Sequence, residues 1–231
     1  MFYDFHIHSC LSPCSNNDMT PNNIAQMAKI KGLDYIAICD HNSLRQQPAF
    51  KIACNQVGIK MMYGVEIQTS EEVHVCAYFL EMNDCNLFQE WIDKKTNPIK
   101  NNESFFGEQN LCNEFDEVIG KEEYLLINSL NASLNETIDV VHCFHGKVVL
   151  AHVLDRVNSV THQLGFIPQD CKFDGLEVKN LNQMITVKQK HPWIQETTWF
   201  INSDAHQLID ISEPENAMSS KEFELFWGKT V

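Results

Sequence analysis

Tyr3-Asp4-Phe5-His6-Ile7-His8 reads as a short strand that carries two imidazoles. With side chains alternating at a period of two, His6 and His8 point to one face and Phe5 and Ile7 to the other, so the pair can hold one metal ion. Taken singly, His-x-His fits a buried structural pair equally well. The same pattern recurs along the chain, and that recurrence decides the reading. Asp40-His41 follows the apolar run Tyr35–Cys39. Glu66 ends Met61-Met62-Tyr63-Gly64-Val65, and His74 interrupts Val73 and Val75. His152 closes Val148-Val149-Leu150-Ala151, and Ser203-Asp204-Ala205-His206 closes Trp199-Phe200-Ile201-Asn202. Six of the ten histidines fall at these places. Almost every polar candidate sits at the carboxyl end of a strand, where barrel active sites assemble. The pattern predicts a multinuclear metal site.

Working outward, strands are expected at Tyr3–His8, Tyr35–Cys39, Lys60–Ile67, Val73–Leu80, Lys147–His152, Gly175–Val178 and Thr198–Asn202. They alternate with helical stretches, which argues for an α/β fold with a mainly parallel sheet or barrel. The first helix carries its own punctuation: Thr20 as N-cap, Pro21 at the first position, an apolar stripe at Ile24, Met27 and Ala28, and Gly32 at the end. Further helices are expected at Ser43–Asn55, Asn86–Lys94, Glu122–Leu130, Leu134–His145 and Leu181–Gln189. Residues 96–146 begin with a polar linker and then read as helical, so they are taken as an insertion within a single domain spanning 1–231.

The chain of 231 residues is 44% hydrophobic and 21% charged, which excludes disordered and collagen-like classes. Its net charge of −14 argues against wrapping duplex nucleic acid or an anionic membrane, though bound metal can reverse the sign locally. No apolar run approaches the roughly 20 residues of a membrane span. The opening residues lack a basic leader pattern. Nine scattered cysteines make no disulfide framework, so a reducing cytoplasm is expected, with Cys39 and Cys76 as small core residues.

His6-x-His8, Asp40-His41-Asn42, Gly64-Val65-Glu66, Val73-His74, Ala151-His152 and Ser203-Asp204-Ala205-His206 together resemble the motifs of the PHP (polymerase and histidinol phosphatase) superfamily. The resemblance runs from residue 4 to about 210 and is nearest to small stand-alone bacterial phosphoesterases. It implies a distorted (β/α)7 TIM-like barrel with a helical insertion, and two or three divalent ions (Zn, Mn or Fe) at the strand carboxyl ends. It also implies that His6, His8 and Asp204 hold the first ion. Glu66 bridges to the second, which His74 and His152 complete, and His41 and His206 hold a third. The chain departs from the family at the third ion's carboxylate, having Ser12-Pro13-Cys14 where Ser-Asp is common. Proline cannot ligate. Asp18 is the favoured replacement, Cys14 as a thiolate is the other, and a weak site is the third possibility. Asp40 is expected to orient an imidazole through its ring N–H.

The chain has two arginines, Arg45 four residues after His41 and Arg156 four residues after His152. Guanidinium forks match phosphate oxygens. Arg156 is expected to clamp phosphate, helped by resemblance to a basic residue of the family, while Arg45 is expected on a solvated helix face. The resulting expectation is hydrolysis of a phosphate ester by a metal-generated hydroxide, with His206 or His41 protonating the leaving oxygen. The substrate would be a small phosphomonoester, a nucleotide or a short oligonucleotide, with no duplex nucleic acid and no membrane as partner. Two alternatives are a metal-binding module without catalysis and an amidohydrolase-like enzyme acting on C–N or C–O bonds. Amidohydrolases usually bridge their metals with a modified lysine, whereas Glu66 stands at that place here.

Overall fold

A computed structural model describes residues 1–155, 157–194 and 196–228. The seven expected strands form one sheet, and the chain has an α/β fold of the distorted TIM-like barrel type. In spatial order they are β1 (Tyr3–Ile7), β2 (Tyr35–Ile38), β3 (Lys60–Gln68), β4 (His74–Phe79), β7 (Lys147–Leu150), β8 (Gly175–Glu177) and β9 (Thr198–Phe200). β1, β2 and β3 are parallel, as are β7, β8 and β9, whereas β4 runs antiparallel to both its neighbours. The ring closes just past β9, where Ile7 bridges Ala205 and the His8 amide donates to the Ala205 carbonyl at 2.9 Å.

Alternation along the strands separates two apolar layers. Outward-facing Ile36, Ile38, Val65, Ile67, Val75 and Leu150 pack under α1 (Pro21–Ile30), α2 (Gln47–Val57), α3 (Met82–Lys95) and α5 (Leu134–Cys143). Inward-facing Tyr3, Phe5, Tyr35, Cys39, Met62, Cys76, Tyr78 and Phe200 fill the barrel floor, with Phe226 of α8 (Ser220–Phe226) closing it from below. The polar centre stands on this dry floor.

β1 departs from simple alternation. Its register against β2 runs Asp4 to Ile36 and then Ile7 to Ile38, so β1 carries one extra residue. Such a bulge switches facing within the strand. Phe5 therefore joins the barrel floor beside Tyr3 instead of lying on the outer face with Ile7, which corrects the expectation from a period of two.

The segment between α3 and α5 differs from the expected helical insertion. It contains one short helix, α4 (Glu103–Phe106), and a hairpin of β5 (Asn110–Cys112) and β6 (Val118–Lys121). No helix forms over 122–130, because its backbone groups bond elsewhere. The Glu122 amide donates to the Gln109 carbonyl, the Leu125 amide to the Ile99 carbonyl and the Leu126 amide to Gln109 Oε1. This lobe grips the loop after β1. The Asn110 amide donates to the Cys10 carbonyl, Asn17 bonds Glu108, and Asn22 bonds Asp116. Gly107, at φ +103°, lies so close to Pro13 that an added Cβ would sit 2.2 Å from its carbonyl oxygen. Among the described residues the remaining helices are α6 (Val160–Leu164), α7 (Leu181–Lys190) and a short 3-10 helix at Leu208–Asp210. No helix among the described residues is long and apolar enough to cross a membrane.

Candidate metal centre

Glu66, 1% exposed at the inner face of β3, is the hub of the centre. Its Oε1 lies 2.9 Å from His74 Nδ1, 3.2 Å from His152 Nε2 and 3.4 Å from His6 Nε2. Its Oε2 lies 3.1 Å from His41 Nδ1 and 3.4 Å from His8 Nε2. Asp204 joins from the far side, with Oδ1 3.1 Å from His8 Nε2 and 3.5 Å from His6 Nε2. His206 stacks on His8 at 4.3 Å between ring centroids. Eight of the nine expected ligands thus converge, from residues separated by almost the whole chain.

The outer ring nitrogens are anchored in a way that turns lone pairs inward. His6 Nδ1 donates to Glu177 Oε2 at 3.0 Å. Ser12 Oγ donates to Asp40 Oδ1 at 2.7 Å, so its lone pair accepts from His8 Nδ1 at 3.1 Å. His74 Nε2 lies 3.1 Å from Gln68 Oε1, and His206 Nδ1 donates to the Asp204 carbonyl at 2.7 Å. His6 Nε2 and His8 Nε2 both face the centre, 3.2 Å apart. His41 Nδ1 likewise faces Glu66 without a hydrogen bond. Imidazoles anchored through their outer nitrogens in this way are the usual partners of metal ions.

The electrostatics divide the imidazoles around an ionised Glu66. Burial raises the Glu66 carboxyl, but His74, His6 and His41 outweigh it and hold the group well below the usual carboxylate range. Burial, aided by His74 and His206, pushes His41 down to about 3. Burial and the neighbours His41 and His206 also take His8 well below its ordinary value. His6 is shifted the other way: although burial disfavours its charge, Cys76, Glu177, Asp204 and Glu66 raise it well above its ordinary value, and Glu66 likewise raises His152 against burial. An ionised Glu66 thus faces imidazoles shifted in both directions, and a metal ion bound at His6 would displace its proton. The donor atoms group as His6, His8 and Glu66; His41, Glu66 and His74; and His8, His41 and His206, each set lying within 4.8 Å. His152 and Asp204 hold positive φ values of 30° and 54°, a backbone cost of the kind that clusters at functional sites.

Three expectations change. Asp18 is exposed and stays outside the ligand groups, so it does not replace the missing carboxylate. Turns from Ser12 to Ser9, Ser15 to Ser12 and Met19 to Asn16 coil the loop, and burial of Met19 leaves Asp18 facing outward. Cys14 lines the cleft instead. Asp40 touches no imidazole. It accepts from Ser9 N, Ser9 Oγ and Ser12 Oγ at 2.6–2.7 Å and reaches His8 through Ser12. Arg45 pairs with Asp93 at 2.8 Å and Glu122 at 3.2 Å, ahead of α2 and away from the cluster. Arg156 lies outside the described residues.

Sequence reading missed Glu177, which is buried and accepts from His6 Nδ1, the His152 amide at 3.1 Å and Asn202 Nδ2 at 2.7 Å. An acid in the apolar run Gly175–Val178 was the available signal, the same one that picked out Glu66. Lys179 was also missed. It lines the cleft two residues past β8, with its ammonium 2.8 Å from Asp155 and not in the cluster. The cleft has a volume of about 810 Å³ and is walled by the cluster, Cys14, Gln68, Ile127, Leu154, Asn158, Lys179 and Gln183.

The family model for the PHP domain matches residues 4–164. A 5′-3′ exoribonuclease of Haemophilus influenzae is 34% identical over 70 residues, covering 30% of this chain and 24% of that protein. An uncharacterised protein of Methanocaldococcus jannaschii is 33% identical over 76 residues, or 44% of its length. The matched stretch therefore spans less than half of either relative. Among solved structures, the lesion-specific endonuclease Q of Pyrococcus furiosus superposes with TM-score 0.65 at 18% identity. It covers 98% of this chain and 55% of that one. A protein of Bifidobacterium adolescentis, provisionally assigned as a metal-dependent phosphoesterase, gives TM-score 0.62 at 18% identity, covering 99% and 96%. Endonuclease Q has the same fold in complex with a 27-mer duplex carrying an abasic lesion, at TM-score 0.61, 19% identity and 89% and 49% coverage. That complex overturns the exclusion of duplex nucleic acid drawn from net charge. A whole-chain sum of −14 does not describe the local field at a cleft whose residues can hold cations.

Proposed function

We propose that this chain, which belongs to the PHP domain family, is a metal-dependent phosphoesterase acting on a nucleotide, oligonucleotide or other phosphate ester. The observation that carries this reading is Glu66, ionised and buried, with five imidazoles within 3.4 Å of its oxygens and Asp204 opposite. Nitrogen and carboxylate donors in this mixture suit Zn, Mn or Fe. His6, His8, Glu66 and Asp204 would hold one ion, Glu66, His74 and His152 a second, and His41 with His206 a third. Divalent ions bound there would polarise a phosphoryl oxygen and make a hydroxide nucleophile available near neutral pH.

The chain's own groups supply the rest. Glu177, and Asp40 through Ser12, hold the outer nitrogens of His6 and His8, so both rings present Nε2 inward without rearrangement. Asp4 accepts from the Ser203 amide and hydroxyl and from the Ser212 amide, which holds the Asp204 turn in place. His206 binds the Asp204 carbonyl through Nδ1, so its Nε2 would either hold the third ion or, where that ion is absent, exchange a proton with a leaving oxygen. Without cations the cleft is acidic, through Glu66, Asp155 and Asp204, so a phosphorylated substrate would enter only the loaded centre.

The test is hydrolysis by purified protein, stripped and reloaded with Mn, Zn or Fe, of mononucleotides, nucleoside bisphosphates, sugar phosphates and short oligonucleotides, single-stranded and duplex. Phosphate release that depends on added metal and is lost in Glu66→Gln supports the proposal. Turnover of amides or lactones with no phosphate release would favour the amidohydrolase reading, and metal binding without turnover would favour a non-catalytic module.

A further inference from the structure

The cleft is larger than its reacting end needs. At about 810 Å³ it lies in the upper part of the roughly 300–1,000 Å³ range of sites that enclose whole small ligands. Its outer wall comes from the segment after β7, through Leu154, Asp155 and Asn158, and from the segment after β8, through Lys179 and Gln183. Among the described residues that line it, Lys179 is the one cation with a fixed charge.

Lys179 is held ready on both sides. Its amide donates to Gln183 Oε1 at 2.9 Å, and the Gln183 amide donates to Asn180 Oδ1 at 3.0 Å, so the start of α7 fixes its backbone. Its ammonium rests 2.8 Å from Asp155, whose amide donates to the His152 carbonyl, tying the pair to a ligand residue. Lys179 is 59% exposed, and an exposed pair of this kind contributes little stability, about 0–1 kcal/mol, so an incoming anion can displace it. Among the described residues Asp155 is the ion-pair partner of Lys179, and the negative field of Asp204 and Glu177 also reaches its ammonium.

We infer that Lys179 binds a second anionic group of the substrate, a phosphate beyond the reacting ester, so that the site favours nucleotides carrying more than one phosphate or phosphodiester. This rests on the phosphoesterase reading and names the substrate class within it. A lysine serves as a point charge here, and the released Asp155 is left to solvent.

The experiment compares wild type, Lys179→Ala and Lys179→Arg, all loaded with Mn, on p-nitrophenyl phosphate and on a 5′-phosphorylated trinucleotide. In Lys179→Ala, kcat/KM on the trinucleotide should fall about tenfold, mostly through KM, and Lys179→Arg should restore most of it. On p-nitrophenyl phosphate the change should stay within about twofold. The slope of log KM for the trinucleotide against log salt should flatten by about 0.7, one phosphate contact on a single strand. Equal losses on both substrates, or no loss on the trinucleotide, overturn the inference. If wild type cleaves neither substrate, the phosphoesterase reading has failed, and anisotropy of a labelled trinucleotide decides the Lys179 site separately. About tenfold weaker binding by Lys179→Ala upholds an anion site, and equal binding removes it.

Discussion

Replacing Glu177 by glutamine tests whether a carboxylate outside the ligand set controls the centre. Three donors converge on it: His6 Nδ1, the His152 amide and Asn202 Nδ2. Glutamine keeps the shape but offers one acceptor oxygen and an NH2 group. If the oxygen replaces Oε1, it serves His6 and His152, and the new NH2 faces Asn202. Turning the Asn202 amide to accept would forfeit its bond from the Phe5 amide, now 3.0 Å from Asn202 Oδ1. If the oxygen replaces Oε2, the NH2 faces the His152 amide, which cannot turn. Either arrangement leaves a buried donor unpaired, at a cost of about 1–3 kcal/mol. It also removes the charge that fixes the His6 tautomer, so metal affinity should fall about 10- to 100-fold. That range corresponds to about 1.4–2.7 kcal/mol of binding free energy. The assay is zinc titration against a chromophoric chelator, with metal content after dialysis and circular dichroism as a check on folding. A folded Glu177→Gln protein that binds zinc as tightly as wild type would refute the idea that Glu177 sets His6 for ligation.

Glu66→Gln should reduce metal content after dialysis and take activity below about a hundredth of wild type, because both of its oxygens face imidazoles. Wild-type metal content in this variant would count against the hub role. Chelation should lower the thermal midpoint, since ions at about 100 times their dissociation constant contribute about 2.7 kcal/mol, and scanning calorimetry with and without chelator reads it. Asp18→Ala should leave metal content and activity unchanged because the residue is exposed and outside the ligand groups; a loss of either would restore Asp18 as a candidate ligand. Gly107→Ala should destabilise by about 2 kcal/mol or more, measured by urea unfolding, because its Cβ would meet the Pro13 carbonyl at a positive φ.

All seven barrel strands and the eight side chains that converge in the cluster were legible in the sequence, and each rests on a local signal. Apolar runs such as Val148–Ala151 mark strands by composition, and a histidine or acid at the end of such a run has few neighbours in sequence that could satisfy it. Cleft-lining residues that carry no such contrast were not legible. Lys179 and Asn158 look like ordinary loop residues until β7 and β8 are set side by side.

What the amino-acid sequence by itself determined was the order and type of the barrel elements and the identity of the donor atoms, because periodicity and side-chain chemistry are properties of neighbouring residues. Tertiary structure decided where those atoms point. The bulge in β1 moved Phe5 into the barrel floor, a consequence of pairing with β2 that no alternation within β1 could reveal. The loop after Ser12 turned Asp18 outward, and the backbone of 122–130 was drawn away from helix by partners at Ile99 and Gln109. His6 took its orienting carboxylate from Glu177, 171 residues away. A hydrogen bond joins whichever groups the fold brings together, so its partners exist only once the barrel has closed.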